Sequence, residues 1–417
     1  MGIGVSFKKF NSNLSDYVRG GAQGTWWMVG ASTFMAGMSA FTFTGNAGAA
    51  FEAGPSPLIL YFAGMVVGIV MFLGVAAWFR QTRAVTLQDV VRTRFGPEIE
   101  QLNGYLAVIL GPISSAVQLW ALAVFVGAIL GLPIVPTIIA IGGVVVAYSF
   151  TGGRWAVMAT DFFQSLILVP ITILIAVLCL WKIGGFGEFF SYFSAPGIAE
   201  DYRFINEPGY WPGDRFSLKW MIVIFISAVV SGISFVMAPR YLSVRDGKEA
   251  KKSAFLAFVL ATIGMVIWFI PPMVARFLYE GQVMAFASDN PENSAYAIAA
   301  MNVLPNGLAG ILIVAMFAAT MSSMDTGLNG ITGGVVNNLF PPLFRLFKLK
   351  PLGEKGQLRA CRVVTLCLGV FIVSSAVYLA TVSTIELFDM FLVISSVIGM
   401  PIVLPFTVAL FLKKLPR

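Results

Sequence analysis

Residues Phe317 to Gly330 read FAATMSSMDTGLNG, and within the five positions Ser322 to Thr326 lie three hydroxyl residues and one carboxylate. On a helix Ala319, Ser322 and Ser323 stand at i, i+3 and i+4, so one backbone carbonyl and two hydroxyls share a face. Small hydroxyl residues at this spacing also serve close packing between membrane helices. Asp325 sets this stretch apart, because a carboxylate inside an apolar span is costly and marks a functional position. Thr326 and Asn329 extend the polar stripe. A neutral set of hard oxygens suits a sodium ion, provided that a second helix completes the shell.

That second helix is available in WWMVGASTFMAGMSAFTFTGNAGAA, starting at Trp26. Gly30, Gly37 and Gly45 interleaved with Ser32, Ser39, Thr42 and Thr44 make a poor continuous helix and a good interrupted one. Unwinding at Ala36-Gly37 would present the carbonyls of Met35 and Met38. A second intramembrane acid, Asp161 in TGGRWAVMATDFFQ, falls in another apolar run.

The elements that must hold these groups follow from composition. The 417 residues are 58% hydrophobic and 11% charged, with a mean hydropathy of +0.85, far from the soluble range. Runs of roughly 20 apolar residues recur along the chain, which predicts an all-α polytopic membrane protein. Ten spans are expected, over 26–50, 57–80, 104–131, 133–150, 155–182, 217–238, 252–279, 305–340, 359–381 and 386–412.

With a cytoplasmic N-terminus, this division places 22 of the 27 lysines and arginines on one face. The positive-inside rule makes that face cytoplasmic and the protein a multi-pass component of the plasma (inner) membrane. The net charge of +7 is then a topology signal rather than a nucleic-acid footprint. Cys179, Cys361 and Cys367 all lie in spans without C-x-x-C spacing, as packing residues do. The chain has no histidine, which removes histidine-based metal sites, general bases and proton relays. Without a nucleophile elbow or a phosphate-binding glycine loop, no enzyme chemistry is expected.

Five spans, a polar outward loop and five more spans form two halves, 26–183 and 217–417, joined by an extracellular loop at 184–216 and preceded by a cytoplasmic segment at 1–25. An odd number of spans per half forces opposite orientations, the plan of an inverted-repeat transporter whose first helices are broken near the midplane.

Four segments, WWMVGASTFMAGMSAFTFTG, TGGRWAVMATDFFQ, APRYLSVRDGKEAKKSA and LPNGLAGILIVAMFAATMSSMDTGLN, together resemble the sodium:solute symporter family, in order from about Trp26 to Arg417. The resemblance implies a five-plus-five core with alternating access and symport of a sugar, amino acid or carboxylate with Na+. It places the conserved sodium site on the carbonyls of Met35, Met38 and Ala319 and the hydroxyls of Ser322 and Ser323. Asp161 matches an aspartate of the sodium exit path or a second sodium site, and Asp325 with Thr326 matches hydroxyl ligands of that second site. Aspartate in place of a hydroxyl is a departure, fitting either a stronger cation site or proton sensitivity.

Sugar-carrying members hold amide and carboxylate side chains where Gly37, Phe41 and Thr42 stand here. The remaining solute-lining candidates are Gln118, Trp120, Ser234 and Phe235. The chain resembles the ten-helix core with a trimmed start. Two alternatives stay open from the sequence: a proton-coupled carrier of the same architecture, and a non-transporting membrane sensor module.

Overall fold

A computed structural model describes residues 20–151, 154–234, 237–286, 290–305, 307–382 and 386–412. The described chain is helical apart from its loops. Its first span is interrupted: α1 (Trp26–Ala36) stops at Gly37, a single turn covers Ala40–Phe43, and α2 (Gly45–Ala53) resumes. Helix α3 is Leu58–Gln81, followed by α4 (Leu87–Phe95), α5 (Pro97–Leu130), α6 (Ile134–Thr151) and α7 (Arg154–Ile183). The second half contains α8 (Leu218–Ile233), α9 (Gly247–Trp268), α10 (Ile270–Leu278), α11 (Ala295–Val303), α12 (Leu308–Gly334), α13 (Glu354–Val382), α14 (Leu387–Leu392) and α15 (Met400–Phe411).

Local sequence accounts for the boundaries. Thr86 and Asp89 form a reciprocal capping box that starts α4. The Ser217 hydroxyl accepts from Trp220 N to start α8, and Asp246 accepts from Lys248 N and Glu249 N to start α9. Gly131, at φ 66°, ends α5 in the left-handed conformation that a side chain disfavours. Phe269 breaks the run between α9 and α10 just before the Pro271-Pro272 pair.

Among the described residues, seven helical runs are long and apolar enough to cross a membrane, and an eighth is counted if the pair bent by 50° around Gly399 forms one span. Of the expected ten, the fourth is α6, an 18-residue helix, and span one falls outside the count. Span one is divided into α1 and α2 by its own glycine and hydroxyl content. Large apolar side chains such as Leu73, Trp181 and Phe163 face outward, as a lipid-facing surface requires, while a continuous core runs through α1, α5, α7, α10 and α12.

Candidate functional site

Helices α1, α7 and α12 pack against one another in all three pairings. The interruption of α1 lies at this meeting. Gly37 N donates to Phe34 O and Met38 N to Met35 O, each at 3.0 Å, after which Ser39 adopts an extended conformation and the helical ladder is lost. Gly37 is exposed while Met35 and Met38 are buried.

Helix α12 crosses this break with its hydroxyl face. The Ser323 hydroxyl donates to Ala36 O at 2.9 Å, and Ala40 N donates to the Thr320 hydroxyl at 2.8 Å. Ser322 is buried, and its Oγ makes no hydrogen bond. Ala319 is fully buried on the same face. A buried hydroxyl without a partner is costly, and here it sits beside a carbonyl-rich kink whose oxygens each keep a second lone pair. This donor set fits a hard monovalent cation. The bond across the crossing ends on Ala36, one residue beyond the anticipated Met35, whose carbonyl instead accepts from Met38 N. Thr320 was missing from the sequence reading, although it lies three residues before Ser323 and so shares its face.

Two of these three helices, α7 and α12, each carry an intramembrane acid. Asp161, on α7, is almost fully buried and accepts from the Ser32 hydroxyl of α1. Arg240, in the short helix Ala238–Tyr241, donates its Nη1 to Ser32 O at 3.0 Å, so one residue of α1 is held by an acid and a base from different helices. Asp325 is buried and accepts from the Ser149 hydroxyl of α6. The Thr326 hydroxyl is buried without a hydrogen-bond partner. The pairings of Ser32, Ser149 and Arg240 leave no local trace in the sequence, because each partner lies more than 100 residues away.

Of the solute-lining candidates, Thr42 is buried in the turn that packs on α5, the helix carrying Gln118 and Trp120. Gln118 has a buried Oε1 without a partner, and Trp120 is buried. Ser234 is fully buried at the end of α8, and Phe235 lies outside the described residues. Aromatic rings surround the turn. Phe41 stacks on Phe391 at 4.4 Å, and Phe43 meets Trp268 at 5.7 Å and Tyr296 at 4.9 Å. Asn46 Nδ2 donates to the Tyr61 hydroxyl at 3.0 Å, tying α2 to α3.

Comparison with known proteins gives this arrangement a context. The family model of the sodium:solute symporter family matches residues 17–417. The sodium/sialic acid symporter NanT of Aliivibrio fischeri is 25% identical over 431 residues, covering 99% of this chain and 81% of that protein. Sodium/glucose cotransporter 1 of Ovis aries is 23% identical over 447 residues, and the chain spans 66% of its length. Among solved structures, a sodium-coupled sialic acid symporter in a substrate-bound outward-open state has a TM-score of 0.84 at 21% identity, over 99% of this chain and 84% of that one. The fold of that symporter and the match along nearly the whole sequence lead to one conclusion: the chain is a multi-pass membrane transporter, not an enzyme, and belongs to the sodium:solute symporter family.

Proposed function

We propose that this protein is a sodium-coupled symporter that imports a small polar solute by alternating access. The observation carrying the proposal is the buried, unpartnered Ser322 hydroxyl beside the Ser323–Ala36 bond at the break of α1. The sodium site consists of the carbonyls of Met35, Met38 and Ala319 with the hydroxyls of Ser322 and Ser323. Asp161, Asp325 and Thr326 serve a second cation site or the exit path. In this reading interrupted span one and α6 both count as spans, giving ten in a five-plus-five inverted repeat over 26–183 and 217–417, with the N-terminus cytoplasmic.

Sodium couples the parts by bridging them. An ion shared between α1 and α12 stabilises the conformation in which their oxygens converge, and it shifts the equilibrium only by its difference in affinity for the two states. The membrane potential adds about 2.3 kcal/mol per charge per 100 mV to inward movement. The solute lies by the turn at Thr42, with Gly37, Gln118, Trp120 and Ser234 as its neighbours. The solutes named for the relatives are sialic acid and glucose, so acidic and neutral sugars head the panel, followed by amino acids and carboxylates. Proton coupling is the second reading, favoured by Asp325, whose carboxylate is buried against a single serine hydroxyl.

Thermal unfolding of the purified protein tests the proposal. Sodium should raise the melting temperature with a saturable dependence, and one solute class should add to the effect only when sodium is present. Stabilisation that follows pH and ignores sodium would favour the proton-coupled reading.

A further inference from the structure

A second polar centre lies away from the crossing, and the transport reading above leaves it unused. Arg215, in the loop before α8, is 8% exposed. Its Nη1 donates to Glu386 Oε2 and Asp389 Oδ2, both at 2.9 Å, and its Nη2 lies 3.6 Å from Glu52 Oε2. Glu386 and Asp389 open α14, the first part of the last span, while Glu52 stands near the end of α2, the second half of span one. One guanidinium therefore joins the two interrupted spans. Glu292, buried in the turn before α11, feels the charge of both Arg215 and Glu386.

The backbone around Arg215 is held under strain. Asp214 at φ 56° and Phe216 at φ 60° both adopt the left-handed conformation that residues with side chains rarely occupy. For a residue as bulky as Phe216 this persists only where the surroundings enforce it. They do so here: the Phe216 ring is fully buried against Trp211, Trp220 and Phe388, and Asn206 N donates to Phe216 O at 3.0 Å. The guanidinium also lies 5.8 Å from the Trp211 ring and 5.5 Å from the Phe216 ring. Deeper in the molecule, the Phe41–Phe391 stack joins the same two spans.

We propose that Arg215 is the positioning residue of an outer latch: it clasps Glu52 of span one to Glu386 and Asp389 of the last span, and its release is required for the turn at Ala40–Phe43 to open to the outside. The inference rests on the orientation proposed above, which puts this face outside. The chemistry suits a latch better than a permanent brace. Three carboxylates share one guanidinium, so the closed arrangement crowds acids together that water would solvate on opening. The strained loop stores part of the free energy of that release.

The test uses the full chain in proteoliposomes, with Cys179, Cys361 and Cys367 replaced by alanine and Thr42→Cys as reporter beneath the latch. The readout is the initial rate of labelling by a charged, membrane-impermeant methanethiosulfonate applied from either side. Arg215→Gln should accelerate labelling from the outside about five-fold or more, with Arg215→Lys between it and the parent. A simple structural role would lower the folded yield without changing the rate, and an unchanged rate in folded Arg215→Gln protein overturns the latch. If Arg215→Gln fails to fold, the pair Glu386→Gln with Asp389→Asn, which leaves Arg215 with Glu52, should give the same acceleration, and equal rates there overturn it too. Acceleration from the inner side alone supports the latch while overturning the assigned orientation.

Discussion

The crossing of α1 and α12 and the knot around Arg215 solve opposite problems, and the interrupted first span takes part in both. The crossing is built of neutral oxygens: serine hydroxyls, backbone carbonyls and one buried hydroxyl with no partner. The knot is built of full charges, one guanidinium against carboxylates at 2.9, 2.9 and 3.6 Å. A site that must bind and release a cation in each cycle keeps lone pairs available and avoids charge that would hold the ion too tightly. A contact that holds two segments together uses the strongest pairing at hand, and the excess of acid limits how long that hold lasts. Undersaturation marks the first region and oversaturation the second.

Four substitutions or titrations sharpen this contrast, starting with the largest effect. Arg215→Met removes the counter-ion that three carboxylates share, the only one they have among the described residues. Breaking a buried pair costs roughly 3–5 kcal/mol, and because the acids are partly exposed we expect about 3 kcal/mol. A fall in the denaturation midpoint well beyond that of Glu52→Gln alone would verify it. Next, Thr320→Val deprives Ala40 N of its acceptor. An orphaned buried amide costs about 1–3 kcal/mol, visible as a lower melting temperature and as faster hydrogen exchange at Ala40.

Ser323→Ala and Ser322→Ala act on ligands rather than on packing. Each should weaken apparent sodium affinity roughly ten-fold, or about 1.4 kcal/mol, with little change in melting temperature when sodium is absent. If stability without sodium fell as far as in Thr320→Val, these hydroxyls would be packing groups.

The smallest effect is the response of the knot to pH. Burial, with the Glu386 carboxylate adding to it, pushes Glu292 from 4.5 up to about 7. A raised carboxylate pKa means that the closed form holds a proton which a solvated open form releases, so closure is favoured as pH falls through about 7 and disfavoured above it. The charged groups near it are Arg215, Glu386 and Glu52. Outside labelling of the Thr42→Cys reporter should be slower at pH 6 than at pH 8, and Glu292→Gln should flatten the difference.

What could be read from the sequence was what is local along the chain. Apolar runs gave the helical membrane class, glycine and hydroxyl content gave the break at Ala36-Gly37, and three-and-four spacing put Ala319, Ser322 and Ser323 on one face of α12. The span count was harder, since the pieces of an interrupted helix do not reach the length of a regular crossing. Contacts between distant segments left no local trace. Ser32 matters because Asp161 and Arg240 reach it, and Arg215 looks like an ordinary loop arginine until residues 52, 386 and 389 are brought beside it. One signal was available: Arg215 stands between Trp211 and Phe216 just before a span.

Equilibrium binding of radioactive sodium to the purified protein tests the central claim most directly. The account predicts saturable binding that Ser322→Ala and Ser323→Ala each weaken about ten-fold, and that Arg215→Gln retains. Absence of saturable binding, or binding unaffected by both serine substitutions, would contradict it.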